Sequence, residues 1–153
     1  MKGARSLTRD EVALAQTVFG DAIDYARVCI VRRKWWFFQP KGVVMAPTGN
    51  IHFHPASDLY RDDFAEASLS LQGLLIHEMT HVLQSQSRGR YYLPLMRHPF
   101  CRYRYELREG LSFDRYGLEQ QAEIMRHIFL AGRGAEVANP TMLATLARQL
   151  PFA

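Results

Sequence analysis

Residues 75–84 read LIHEMTHVLQ, and within them His77 and His81 lie four apart with Glu78 directly after the first. On a helix, positions i and i+4 share one face a turn apart, so both imidazoles reach one cation. Glu78 is rotated by about 100° from His77 around the axis, placing it beside such a cation as a base rather than as a ligand. Neutral imidazole is a good zinc ligand, and zinc lowers the pKa of a bound water to about 7. The segment therefore supplies two metal ligands and a general base, the parts needed for hydrolysis by an activated water. The competing reading is a helix that carries two buried or surface histidines, which leaves the position of Glu78 unexplained.

A catalytic zinc takes three protein ligands and keeps one position open. Candidates for the third are His52, His54, His98, His127 and the carboxylates downstream. The strongest lie in YGLEQQAEIM, residues 116–125, where Glu119 and Glu123 are again four apart on an expected helix. One of the pair can ligate while the other accepts a hydrogen bond from the far nitrogen of a ligand histidine. Glu119 is favoured as the ligand and Glu123 as the supporting carboxylate, with exchange of the two roles open. A solvated acidic face on an amphipathic helix is the alternative. His98, between Arg97 and Pro99, reads as a surface loop residue. His52 and His54 share one face of a strand, lining a cleft or simply facing solvent. Tyr116, just ahead of the Glu119 helix, is a candidate hydrogen-bond donor to a tetrahedral oxyanion.

These groups need elements to hold them. Thr8-Arg9-Asp10-Glu11 has the form of a capping box and starts a helix to about Phe19, stopped by Gly20. ARVCIV and KWWFF read as short strands, and GVVMA and IHFHP as two more around a Pro/Gly/Asn turn. Residues 56–69 read as a polar connection. Apolar spacing of three and four from about Leu69 to Ser85 predicts the histidine helix, with Gly89 a plausible end. YYLPLMRHPF reads as irregular, CRYRYEL as a strand and REG as its turn. A helix follows from about Leu118 to Leu130, and Asn139-Pro140 caps a last one. The order points to an α+β fold, with a small, mostly antiparallel sheet packed on the histidine helix and a second ligand-bearing helix.

Composition sets the frame. The 153 residues fit a single domain with a core of its own, 48% hydrophobic and 22% charged. No apolar leader and no membrane-length apolar run occurs, so the default compartment is cytoplasmic, with signal-less export left open. Cys29 and Cys101 lack C-x-x-C spacing and read as buried free thiols. The formal charge of +4 is unevenly placed: RRK precedes WWFF, and six arginines from Arg88 to Arg108 accompany four tyrosines. Such a stretch can bind nucleic acid, but without a nucleic-acid fold signature it reads as a solvated surface.

HEMTH with EQQAE downstream resembles the gluzincin zinc metallopeptidases, the group of thermolysin. The resemblance implies a minimal zincin in which His77, His81 and Glu119 hold Zn2+, Glu78 is the base and Glu123 supports a histidine. Glutamate at 123 departs from the commoner aspartate. More closely, LTRDEVALAQTVFGDAIDYARV, APTGNIHFHP, LLIHEMTHVLQ and YGLEQQAEI together resemble small bacterial proteins labelled Vgr-related or Rhs-associated. Those are similar to a metallopeptidase domain of polymorphic toxins and contractile-injection cargo. The resemblance implies a peptide or protein substrate, a secretion-system or toxin partner, and an IHFHP strand beside the cleft that pairs with extended peptide. The alternative is a catalytically silent binding or structural module of a secretion apparatus that keeps the zincin fold.

Overall fold

The computed structural model describes residues 3–96 and 102–152, so the candidates His98 and Cys101 lie outside the described residues. Ala4–Ser6 forms β1, Cys29–Val31 β2 and Ile51–His52 β3, in sheet order β1-β2-β3. The helices are α1 (Arg9–Phe19), α2 (Leu69–Arg88), α3 (Tyr92–Met96), α4 (Leu118–Gly132) and α5 (Pro140–Arg148). The result is a small α+β fold in which one three-stranded sheet packs against several helices. Among the described residues, no helix is long and apolar enough to cross a membrane.

Local signals explain the helix ends. At α1 the Thr8 hydroxyl accepts the Glu11 N–H at 3.0 Å, and the Glu11 carboxylate accepts the Thr8 N–H at 2.9 Å. This is the reciprocal capping box that the residues predict. At α2 the Ser68 hydroxyl accepts the Leu71 N–H, and Gly89 ends the helix at φ 100°, a left-handed value that favours glycine. Pro140 opens α5, but Asn139 sits at φ 53° without a side-chain cap bond, so proline rather than asparagine makes that start.

The strands depart more from expectation. The sheet is mixed: β1 and β2 are antiparallel through Ala4↔Val31 and Ser6↔Cys29, while β2 and β3 run parallel through Ile30↔Ile51. GVVMA contributes only a bridge from Met45 to His52, and KWWFF is a turn with its rings outward. Residues 102–107 form no strand, and YYLPLM forms α3 rather than irregular chain. Strand propensity reports fit to a half-buried pleated surface, and neither KWWFF nor 102–107 finds a partner to pair with. Cys29 is a free thiol, half-buried rather than buried.

The main core lies between the sheet and helices α1, α2 and α4, with Phe19, Ile30, Ile51, Phe53, Leu75, Ile76, Met79 and Met125 inside it. Burying a side chain of this size contributes about 1.5–3 kcal/mol. Gly73 of α2 lets α4 approach, since a Cβ there would lie 3.3 Å from Leu130 Cδ2. A smaller cluster of Tyr116, Ile124, Leu143 and Leu146 joins α4 to α5. The face of α4 between these clusters is the one set against the histidines.

Candidate metal centre

Helix α2 is packed so closely that every residue from Leu75 to Val82 is buried, His77, Glu78 and His81 among them. Helix α4 lies along it and buries Glu119 to 1% exposure. A carboxylate so placed needs a cation or several donors nearby. Glu119 Oε2 lies 3.4 Å from His77 Nε2 and 3.2 Å from His81 Nε2. The two imidazole rings stand at 78° to each other with centroids 5.1 Å apart.

The outer nitrogens decide where the inner lone pairs point. His77 Nδ1–H donates to Glu123 Oε1 at 2.7 Å, and His81 Nδ1–H donates to Gln84 Oε1 at 2.8 Å. Gln84 has no freedom to turn its amide: its Nε2 already donates to the Leu118 carbonyl and to Gln121 Oε1. Gln121 Nε2 in turn donates to the Tyr116 carbonyl at 2.9 Å. With both outer nitrogens acting as donors, both Nε2 lone pairs are left to converge on Glu119. Two imidazole nitrogens and a carboxylate oxygen, all within 4.8 Å of one another, form a group that could hold a metal ion. The donor set and its outer partners fit such an ion.

Without a metal, a proton does the same electrostatic work. Burial disfavours a charge on His77, but hydrogen bonds to Glu119 and Glu123 and the charges of Glu78 and Glu123 prevail, raising its pKa to about 9. The Glu123 carboxyl, which burial alone would push up, is held below its ordinary value by His77, Arg126 and His127. In metal-free protein, protonated His77 stabilises the fold in full below pH 6.5, and that contribution is lost as pH rises through about 9. A metal ion must expel this proton. Its affinity is therefore expected to rise about tenfold per pH unit from pH 6.5 to 9, with release of about one proton. Calorimetry in buffers of different ionisation enthalpy measures that release; binding without proton release would remove His77 as a ligand.

The structure thus brings together His77, Glu78, His81, Glu119 and Glu123, residues singled out from spacing. Tyr116 stands differently. Its hydroxyl accepts the Arg108 N–H at 3.1 Å and its ring packs in the α4–α5 cluster. It is Tyr103 that stacks over His77, with centroids 6.3 Å apart and planes 17° apart. His52 is buried, its Nδ1 facing the Arg33 carbonyl, and His54 Nδ1 accepts the Ala56 N–H, so neither joins the group. The outer edge of β3 at His52 is already bonded to Met45 in both directions, so IHFHP offers no free pairing edge there.

Gln84, Tyr103 and Tyr105 entered without a sequence argument. Gln84 lies one turn after His81, and that spacing was the available signal. His127, considered only as a ligand, instead faces Glu123 Oε2 at 3.9 Å and accepts from Tyr105 on its other nitrogen. Burial pushes the Tyr105 phenol up to about 12, which keeps it a donor. Among the described residues, two clefts border the site without including His77 or His81. One of about 680 Å³ reaches Thr80, Gln84 and Glu119, and one of about 1150 Å³ reaches Tyr103, Glu123 and His127. Part of the Arg/Tyr stretch is engaged internally, Arg88 on Tyr92 at 5.4 Å and Arg90 on Tyr91 at 5.8 Å.

No protein-family profile matches the sequence. Over 137 residues, 84% of the chain, it is 38% identical to the type VI secretion system spike protein VgrG2b of Pseudomonas aeruginosa, and it spans 13% of that protein's length. The solved structure of the effector domain of Pseudomonas aeruginosa VgrG2b superimposes with a TM-score of 0.74 at 34% identity. It covers 99% of this chain and 84% of its own.

Proposed function

The chain belongs to the family of the VgrG2b effector domain, and from that premise we propose that it is a zinc-dependent peptidase of minimal gluzincin type delivered by a type VI secretion spike. One observation carries the reading: two histidine lone pairs and a buried carboxylate converge on one point, with Glu78 buried on the same helix. Two imidazoles and one carboxylate are the ligand set of a hydrolytic zinc with an open position. When bound, zinc supplies Lewis acidity, polarising a peptide carbonyl and making water acidic near neutral pH.

The chain's own groups do the rest. Glu78 takes the proton from the attacking water and passes it to the leaving amine. Glu123 and Gln84 hold the two imidazoles in the tautomers that keep their Nε2 atoms bare. For stabilising charge on the carbonyl oxygen, Tyr116 was the expected donor, and Tyr103, stacked on His77, is the alternative. The Arg102–Arg104 segment beside the larger cleft favours substrates with acidic side chains. A secretion spike is the partner this reading implies, with export as its route.

Metal analysis of purified protein, together with hydrolysis of an unstructured protein substrate, tests the proposal. Wild-type protein is expected to carry about one zinc per chain and to cleave, and His81→Ala to lose both properties. Wild-type protein that refuses zinc from a saturating solution would sink the reading. Zinc retained without cleavage of any substrate would instead identify a silent binding module.

A further inference from the structure

The turn that replaces the expected KWWFF strand carries four of the ten large hydrophobic side chains exposed among the described residues. Trp35 and Trp36 are 40% and 49% exposed, and Phe37 and Phe38 are 79% and 70% exposed. Soluble surfaces rarely carry four contiguous exposed aromatics, and such patches mark contact sites. The turn is also preformed. Gln39, 2% exposed, accepts the Trp35 N–H at 2.9 Å and donates to the carbonyls of Val43 and His52 at 2.8 and 2.9 Å. Its rings stand edge to face, Trp36 on Phe38 at 5.2 Å and Phe37 on Phe38 at 5.0 Å, making a wedge.

Charge indicates what the wedge enters. From Tyr25 to Ser57 there is no aspartate or glutamate, while Arg27, Arg32, Arg33, Lys34 and Lys41 give +5. The whole chain carries +4, so the remainder nets to −1. Lys34 Nζ donates to the Phe37 carbonyl at 3.2 Å, setting its charge at the base of the apolar tip. Tryptophan and phenylalanine at a tip with lysine and arginine behind them match the depth profile of a bilayer interface. The aromatics lie at the acyl boundary and the cations at the headgroup phosphates. The rings stand at 62° and 88° to one another, unlike a ladder of parallel faces on which successive bases stack, which disfavours single-stranded nucleic acid as the occupant.

We propose that the 32–41 turn is a peripheral docking element that inserts Trp36, Phe37 and Phe38 into an anionic lipid surface, with Arg33, Lys34 and Lys41 on the headgroups. It holds the protein at the membrane without spanning it.

Trp35 and Trp36 are the only tryptophans in the chain, so intrinsic emission reads this turn alone. Vesicles of phosphatidylcholine mixed with phosphatidylglycerol are expected to shift that emission to the blue, and brominated acyl chains to quench it. Added salt weakens the effect. Arg33→Gln with Lys34→Gln is expected to lower the partition coefficient by about thirtyfold. Phe37→Ser with Phe38→Ser abolishes quenching while leaving both fluorophores and the thermal midpoint in place. No shift with the mixed vesicles overturns the proposal. So does an equal shift on phosphatidylcholine alone, binding unchanged in both variants, or a shift produced by a single-stranded oligonucleotide but not by vesicles.

Discussion

Glu78→Gln protein is expected to bind zinc as the wild type does and to hydrolyse peptide about 10²–10⁴ times more slowly. Glutamine is isosteric with glutamate, so a side chain only 5% exposed can be replaced without opening a cavity. The metal-ligating atoms of His77, His81 and Glu119 are untouched. Losing the Glu78 charge also removes one of the causes that raise the His77 pKa, so proton competition for the site eases rather than tightens. Metal content and kcat measured on the same preparation separate the two roles. A variant that keeps both zinc and a rate within a few-fold of wild type would show that Glu78 is not the base.

The largest effect on stability is expected at a residue outside the site. Glu11 is fully buried, and its carboxylate accepts from Arg5 Nη1 at 2.8 Å, Arg5 Nη2 at 2.7 Å, Thr8 N at 2.9 Å and Phe64 N at 2.8 Å. One side chain thereby ties β1, the start of α1 and the segment leading into α2. Glu11→Ala leaves a guanidinium without its counter-charge and two backbone donors without acceptors. Arg5 keeps 23% of its side chain exposed, so breaking the pair from the Glu11 side falls at the low end of the range for a buried pair, about 3 kcal/mol. Urea denaturation is expected to show an unfolding free energy lowered by that amount, read as a lower midpoint at an unchanged slope. A loss below about 1 kcal/mol would mean that water replaces the carboxylate at low cost.

Glu11 shows how far local sequence reaches. Its role as the third residue of a capping box follows from its spacing to Thr8 and is present in the structure. Its bonds to Arg5 and to Phe64, 53 residues away, follow from no local pattern. The same division holds elsewhere. Helices α1, α2 and α4 were legible because a period of 3.6 and their end signals are written within a few residues. The sheet was not, because pairing direction and partner belong to two segments at once. GVVMA and IHFHP do pair antiparallel as expected, but through Met45 and His52 alone, while the parallel β2–β3 pairing had no sequence signal. KWWFF shows the failure most plainly: strand-forming residues without a neighbouring strand became an exposed turn held by a buried glutamine.

At the candidate metal centre, sequence alone determined that His77 and His81 share a helical face with Glu78 beside them, and that Glu119 and Glu123 share another. Helical periodicity fixes the angles within one helix. It does not fix how far one helix slides along the next, and the offset of α4 against α2 is set by packing, including the close approach at Gly73. That offset sets Glu119 against both Nε2 atoms and Glu123 against the outer nitrogen of His77. It also brings Leu118 and Gln121 to Gln84, which holds His81. Chain spacing named the chemical groups, and interhelical register, a property of no single segment, distributed their roles.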